Sequence, residues 1–140
     1  MKTELQSTSI PYASGGDGLD KNNKQRELKT RTKAFALRII RLYCTLPKTT
    51  EAQVLGKQLL RSGTSVGAHY REAKRAKSDA DFINKMEGGL QELDETAYWL
   101  ELLVESGILK ETRVTSLLTE TEELIAIFVA IVTKLKRKQK

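Results

Sequence analysis

From residue 28 onward, apolar side chains recur at alternating spacings of three and four positions. That is the period of helices that each bury one face. The first such segment, about 28–45, sets Leu28, Phe35, Ile39, Leu42 and Leu46 on one side. Leu37, Ile40 and Cys44 form a second apolar stripe roughly opposite, with Arg31, Lys33, Arg38 and Arg41 between the two. A helix with two apolar stripes has to bury both, so the second stripe is expected at a contact between subunits. Leu46-Pro47 ends this helix, because the residue before a proline is pushed out of the helical region.

Thr50 with Gln53 reads as a capping box that opens a second helix over about 51–77. Its stripe is Leu55, Leu59, Ser62, Val66, His69, Ala73 and Ala76, interrupted by the polar Ser62 and His69. Ser78 followed by Asp81 opens a third helix in the same idiom. Phe82, Met86, Leu90, Leu93, Ala97, Leu100 and Val104 are its seam, and Gly107 its C-terminal cap. The fourth helix, about 110–137, carries Val114, Leu117, Thr121, Leu124, Phe128, Ile131 and Leu135, with Leu118, Ile125 and Val132 widening that face. Short connections favour antiparallel neighbours. The expected fold is therefore all-α: an up-down-up-down antiparallel four-helix bundle over residues 28–140. A disordered arm is expected over 1–27, where Ser14-Gly-Gly-Asp-Gly18 has no periodicity that buries a face.

Composition narrows the class without naming a chemistry. A chain of 140 residues, 39% hydrophobic and 30% charged, fits one globular domain. The single cysteine excludes an internal disulfide framework and suits a reducing cytoplasm. No apolar run approaches the roughly 18 residues of a membrane span, and the N-terminus has no signal-peptide pattern. The expected location is cytoplasmic, away from membranes.

The net charge of +6 is unevenly spread. Residues 28–50 hold six Lys/Arg and no acid, and 51–78 hold six against two acids. Residues 79–107 reverse this, with one Lys against eight Asp/Glu. The last seven residues, Lys134–Lys140, carry five cations. Such segregation fits a polyanion-binding surface or a self-complementary subunit contact. It also fits charges that merely solvate helix faces, and cations in a last helical turn oppose the macrodipole in any case.

Catalytic chemistry is not legible. One His and one Cys, with no motif around either, supply neither a nucleophile–base pair nor a metal site, so no enzyme and no cofactor are expected. His69 is expected as a hydrogen-bonded core residue and Cys44 as a small buried hydrophobe. The stretch Arg61-Ser-Gly-Thr-Ser-Val-Gly-Ala-His-Tyr-Arg-Glu-Ala73 is the unusual feature. A glycine inside a helix costs roughly 1 kcal/mol against alanine, so Gly63 and Gly67 call for a close approach by another backbone or by a ligand. Close helix packing is the first reading, with the hydroxyls bonding back to helical carbonyls. A phosphate grip by the outward cations is the second, and Tyr70 is a weak candidate for stacking on a base. Trp99, off the main seam beside Tyr98, fits a protein contact or a lid on the bundle edge.

The segment Arg61-Ser-x-Thr-Ser-Val-Gly-Ala-x-x-x-Glu-Ala73, with Asp81-Phe82-Ile83 and Glu95-Thr96-Ala97-Tyr98-Trp99-Leu100, resembles the 23S rRNA intervening-sequence protein family, also called S23 ribosomal protein. The resemblance covers about residues 30–136. Gly63 stands where that family often has Ser, and His69 where it usually has Asn. The family is similar in fold to the accessory variability determinant of diversity-generating retroelements, a homopentameric barrel that binds nucleic acid and a reverse transcriptase. The resemblance implies a non-enzymatic homo-oligomer, a pentamer, with a basic surface for nucleic acid, above all structured RNA. Two alternatives stay open: a retroelement accessory binding reverse transcriptase and its RNA, and a protein-interaction adaptor without nucleic acid. The candidate phosphate contacts are Arg31, Lys33, Arg38 and Arg41 on the first helix, Arg61, Arg71, Lys74, Arg75 and Lys77 on the second, and Lys136, Arg137 and Lys138 at the end. The candidate oligomer contacts are Leu37, Ile40, Cys44, Gly63, Gly67 and Trp99.

Overall fold

The computed structural model describes residues 17–139, with side chains from residue 27. Four helices follow one another: α1 (Asp17–Cys44), α2 (Thr50–Lys74), α3 (Asp79–Glu105) and α4 (Glu111–Lys138). They form the expected antiparallel up-down-up-down bundle. Most of the expected N-terminal arm lies outside the described residues. Within them, α1 begins at Asp17, upstream of the boundary at 28. The stretch after Gly18 has neither glycine nor proline to stop a helix from propagating back once the apolar anchor at Leu28 has nucleated it.

The core follows the apolar period. Phe35, Ile39, Leu59, Val66, Met86, Leu93, Leu100, Val114, Leu124 and Phe128 are almost wholly buried. The α2 and α3 seams are rotated from the expected ones. On α2, Leu55 and His69 are only half-buried, while Gly56, Gly63, Gly67 and Tyr70 are buried. On α3, Ile83, Gly89, Thr96 and Leu103 are buried, while Phe82, Leu90 and Val104 are half-buried. The cause is the place of α2: it packs closely on both α1 and α3, whereas α1 and α4 scarcely approach each other. A helix with two close neighbours buries two flanks, and its small residues take the flanks.

On the α1 flank, glycines hold the place of side chains. A Cβ on Gly63 would sit 2.7 Å from Ile39 Cγ1, and one on Gly56 would sit 2.4 Å from Leu46 Cδ1. At Gly67 the nearest atom would be Thr32 Oγ1 at 3.1 Å. Gly63 and Gly67, expected at a subunit contact, are therefore used inside the chain, where α1 lies against α2. On the α3 flank, Ser62 and Thr96, both fully buried, meet hydroxyl to hydroxyl at 2.9 Å. Thr96 Oγ1 donates to the Glu92 carbonyl at 2.8 Å, so the Ser62 hydroxyl is the donor to Thr96. Thr32 and Thr121, also fully buried, donate to Leu28 O and Leu117 O, each at 2.8 Å. The three buried threonine hydroxyls are thus satisfied by carbonyls one turn back in their own helices, and the buried serine by Thr96 across the α2–α3 seam.

The helix ends are set by local chemistry. Thr49, not Thr50, caps α2, accepting from the Ala52 N–H at 3.3 Å. Starting one residue early moves Gln53 past the capping position, so its amide donates to Pro47 O and accepts from the Tyr43 hydroxyl. Ser78 caps α3 by accepting from the Asp81 N–H at 3.1 Å, as the sequence implies. Gly107 follows α3 at φ +83°, the left-handed conformation that favours glycine.

Gly63→Ala tests the close seam. The added methyl gains about 1 kcal/mol of helix propensity but is forced into the branch of a buried Ile39. A net loss of about 1–2 kcal/mol is expected, measured by urea unfolding. Unchanged or raised stability would show that α1 does not rest on this glycine.

Candidate nucleic-acid interface

The chain reversal between helices decides where the expected cations lie. The C-terminal ends of α2 and α4 share one end of the bundle with the start of α3 and the first half of α1. The Lys136–Glu87 ion pair at 2.8 Å ties α4 to α3 there, and Lys85–Glu72 at 3.8 Å ties α3 to α2. Arg71, Lys74, Arg75 and Lys77 are thereby brought to the same end as Lys136, Arg137 and Lys138, although the two groups are far apart in sequence. All seven are exposed. Lys136 is held by Glu87; Lys74 lies 5.9 Å from the Tyr70 ring centre, a cation–π contact. The other five make no ion pair among the described residues. Glu72 lies among these cations in sequence but is paired with Lys85, while Asp79 and Asp81, in the first turn of α3, complement that helix's positive end.

Besides Lys136, two further expected phosphate contacts are engaged by acids of the chain, both of them arginines. Arg31 on α1 donates from Nε and Nη2 to the Glu120 carboxylate, each at 2.8 Å, and from Nη2 to Glu123, clasping α1 to α4. Those hydrogen bonds, Glu120 foremost, raise its pKa above the ordinary arginine value against the opposing pull of burial. Arg61 on α2 reaches Glu92 at 3.2 Å and Glu95 on α3. Hydrogen bonding to Glu95 is the main cause of its raised pKa. Both guanidiniums clasp helix seams, pairing with acids of the chain at the positions expected to meet phosphate. Lys33 lies exposed on the outer side of α1, and Arg38 and Arg41 face the opposite end of the bundle, next to Arg113.

Other sequence expectations change as well. Tyr70 is 2% exposed and tilted against Phe128 at 6.3 Å, so its ring is not available to stack on a base. Burial pushes its hydroxyl up to about 12. His69 is half-buried with no hydrogen bond at Nδ1, and its Nε2 stands 3.7 Å from Glu92. It is therefore not the hydrogen-bonded core residue expected; Gly88 leaves room for the ring, since a Cβ there would lie 2.8 Å from its Cε1. Cys44 is exposed rather than buried. It shares the outer face of α1 with Leu37 and Ile40, which keep 40% and 39% of their surface open. Trp99 packs on the core, half-buried, with its ring tilted against Tyr98 at 5.1 Å, which makes it an internal edge-cover more than a free contact.

Among the described residues no three His, Cys, Asp or Glu side chains converge as metal ligands, and no helix is long and apolar enough to cross a membrane. The arrangement is that of an all-helical bundle with charged ends and an apolar outer stripe. The chain belongs to the 23S rRNA-intervening sequence protein family, whose model matches residues 24–130. It is similar to a solved structure from Bacteroides thetaiotaomicron, a protein of unknown function from the S23 ribosomal protein family. The two share 41% identity and superpose with a TM-score of 0.71, over 75% of this chain and 97% of that one. Comparison with curated proteins gives no significant match.

Proposed function

We propose that the protein is a non-enzymatic, homo-oligomeric, cytoplasmic scaffold that binds structured RNA through the basic end of its bundle. The observation that carries this reading is the gathering of seven exposed cations from the ends of α2 and α4, helices remote in sequence, on one end of the bundle, five of them with neither an ion pair nor a cation–π contact among the described residues. Helix C-termini attract cations for their own sake, but one cation per turn serves that purpose and seven exceed it. Point charges on flexible stems, with no buried base-reading group among them, suit phosphate contact and shape recognition. The family description, 23S rRNA-intervening sequence protein, is in keeping with an RNA partner.

Oligomer formation rests on the outer face of α1. Leu37, Ile40 and Cys44 stand opposite the core, and an isolated helix face of this kind has a reason to be apolar only if a second copy covers it. A pentamer is the number the family resemblance supplies. A reverse transcriptase partner rests on that resemblance alone. The adaptor reading is weakened by Arg31, Arg61 and Lys136, which already satisfy acids of their own chain.

Reversing the charge of Arg71, Lys74 and Arg75 together to Glu is expected to abolish RNA binding in a gel-shift assay while circular dichroism stays helical. Undiminished binding by the folded triple variant overturns the assignment of the site. Leu37→Glu with Ile40→Glu is expected to reduce the oligomer to monomers in light scattering. An unchanged mass removes the outer face of α1 from the interface.

A further inference from the structure

The wide seam between α1 and α4 carries a feature that the basic end does not explain. Towards the end of the bundle where α1 finishes and α4 begins, the seam opens into a shallow groove of about 260 Å³. Its lining is Arg38, Arg41, Leu42, Thr45, Arg113 and Leu117. Three arginines from two helices thus line one concavity. Their hydrogen-bond partners are neutral: Arg38 Nη2 donates to the Ser116 hydroxyl, and Arg113 Nη2 to Thr45 Oγ1 at 3.1 Å. No carboxylate pairs with any of the three among the described residues. The contrast with Arg31, on the same side of α1 nearer its start, is direct: that guanidinium is clasped by Glu120 and Glu123. Along one seam, therefore, the arginines at one level are neutralised by the chain and those at the next are left positive.

The floor of the groove is apolar. Leu42 and Leu117 are 8% and 5% exposed, and they lie beneath the cations. A cationic rim over an apolar floor is complementary to a ligand with an anionic group and a flat, weakly polar body. Guanidiniums offer forked donors to phosphate oxygens and planar faces to rings, and the exposed edges of the leucines add apolar contact for a base. The volume is below that of ordinary drug-sized sites and near that of a single nucleotide.

We propose that the α1–α4 groove is a nucleoside-phosphate site, separate from the basic end, with the phosphate on Arg38, Arg41 and Arg113 and the base against Leu42 and Leu117. A free nucleotide and one nucleotide of a single strand present the same chemistry. In the second case the groove deepens the RNA-binding reading; in the first it stands without it.

Calorimetric titration of the full chain with AMP, with inorganic phosphate and with a single-stranded RNA hexamer tests this. Arg41→Ala and Arg113→Ala, exposed positions whose loss leaves the core intact, are each expected to weaken AMP binding at least tenfold. The triple Arg71, Lys74, Arg75 to Glu variant is expected to bind AMP as the parent does, so failure of the basic end and failure of the groove give different results. A hexamer at least tenfold tighter than AMP, and weakened equally by Arg113→Ala, assigns the site to a strand; equal affinities assign it to a free nucleotide. The proposal is overturned if neither AMP nor the hexamer loses affinity in the two arginine variants. It is equally overturned if inorganic phosphate binds as tightly as AMP, which would leave the apolar floor without a role.

Discussion

The absence of side chains along one flank of α2 is the constraint on which the rest depends. Gly56, Gly63 and Gly67 let α1 and the turn after it settle so near that a methyl would meet Ile39 of α1 at Gly63, and Leu46 of that turn at Gly56, below 3 Å. Such contact is worth having because dispersion is summed over many atoms at optimal distance, and it offsets the helix propensity that the glycines give up. On the other flank, Ser62 and Thr96 do the same for α3 with small hydroxyls that bond to each other and to helical carbonyls. The result is a bundle closed tightly around α2 and open between α1 and α4.

That asymmetry distributes the charge. Where α2 meets α3, and where α1 meets α4 near its start, arginines reach across to carboxylates and act as clasps. A guanidinium held by two carboxylates, as the half-buried Arg31 and the exposed Arg61 are, has its charge largely balanced within the chain. The unpaired cations that the fold gathers into groups are those at the ends of α2 and α4 and those beside the wide seam. Geometry, more than the number of basic residues, therefore selects the polyanion-binding surface.

Much of the fold was legible from spacing alone. The four helices, the cap at Ser78, the left-handed Gly107 and most of the core follow from local pattern, because helical period and capping are properties of short segments. The seam rotations on α2 and α3 were not legible, since they depend on which helices flank α2, and that is decided by packing. The same limit applies to the site. The sequence shows that Arg31 and Arg61 are basic and near other cations, but the acids that take them up are 89 and 31 residues away. Arg113 carried no signal because only Lys110 accompanies it in its segment, and Arg38 and Arg41 join it only across the α1–α4 seam. Gly63 and Gly67 did carry a signal, two glycines within an otherwise good helix, and close packing was its correct meaning.

Exposed cations without carboxylate partners are what the proposed phosphate-binding scaffold depends on. Its most direct test is the salt dependence of binding to a labelled structured RNA. If contacts are made to phosphates by the basic end, log K falls linearly with log salt, with a slope magnitude of roughly three or more for four or more phosphates neutralised. A slope near zero, or no binding at low salt, would contradict the account.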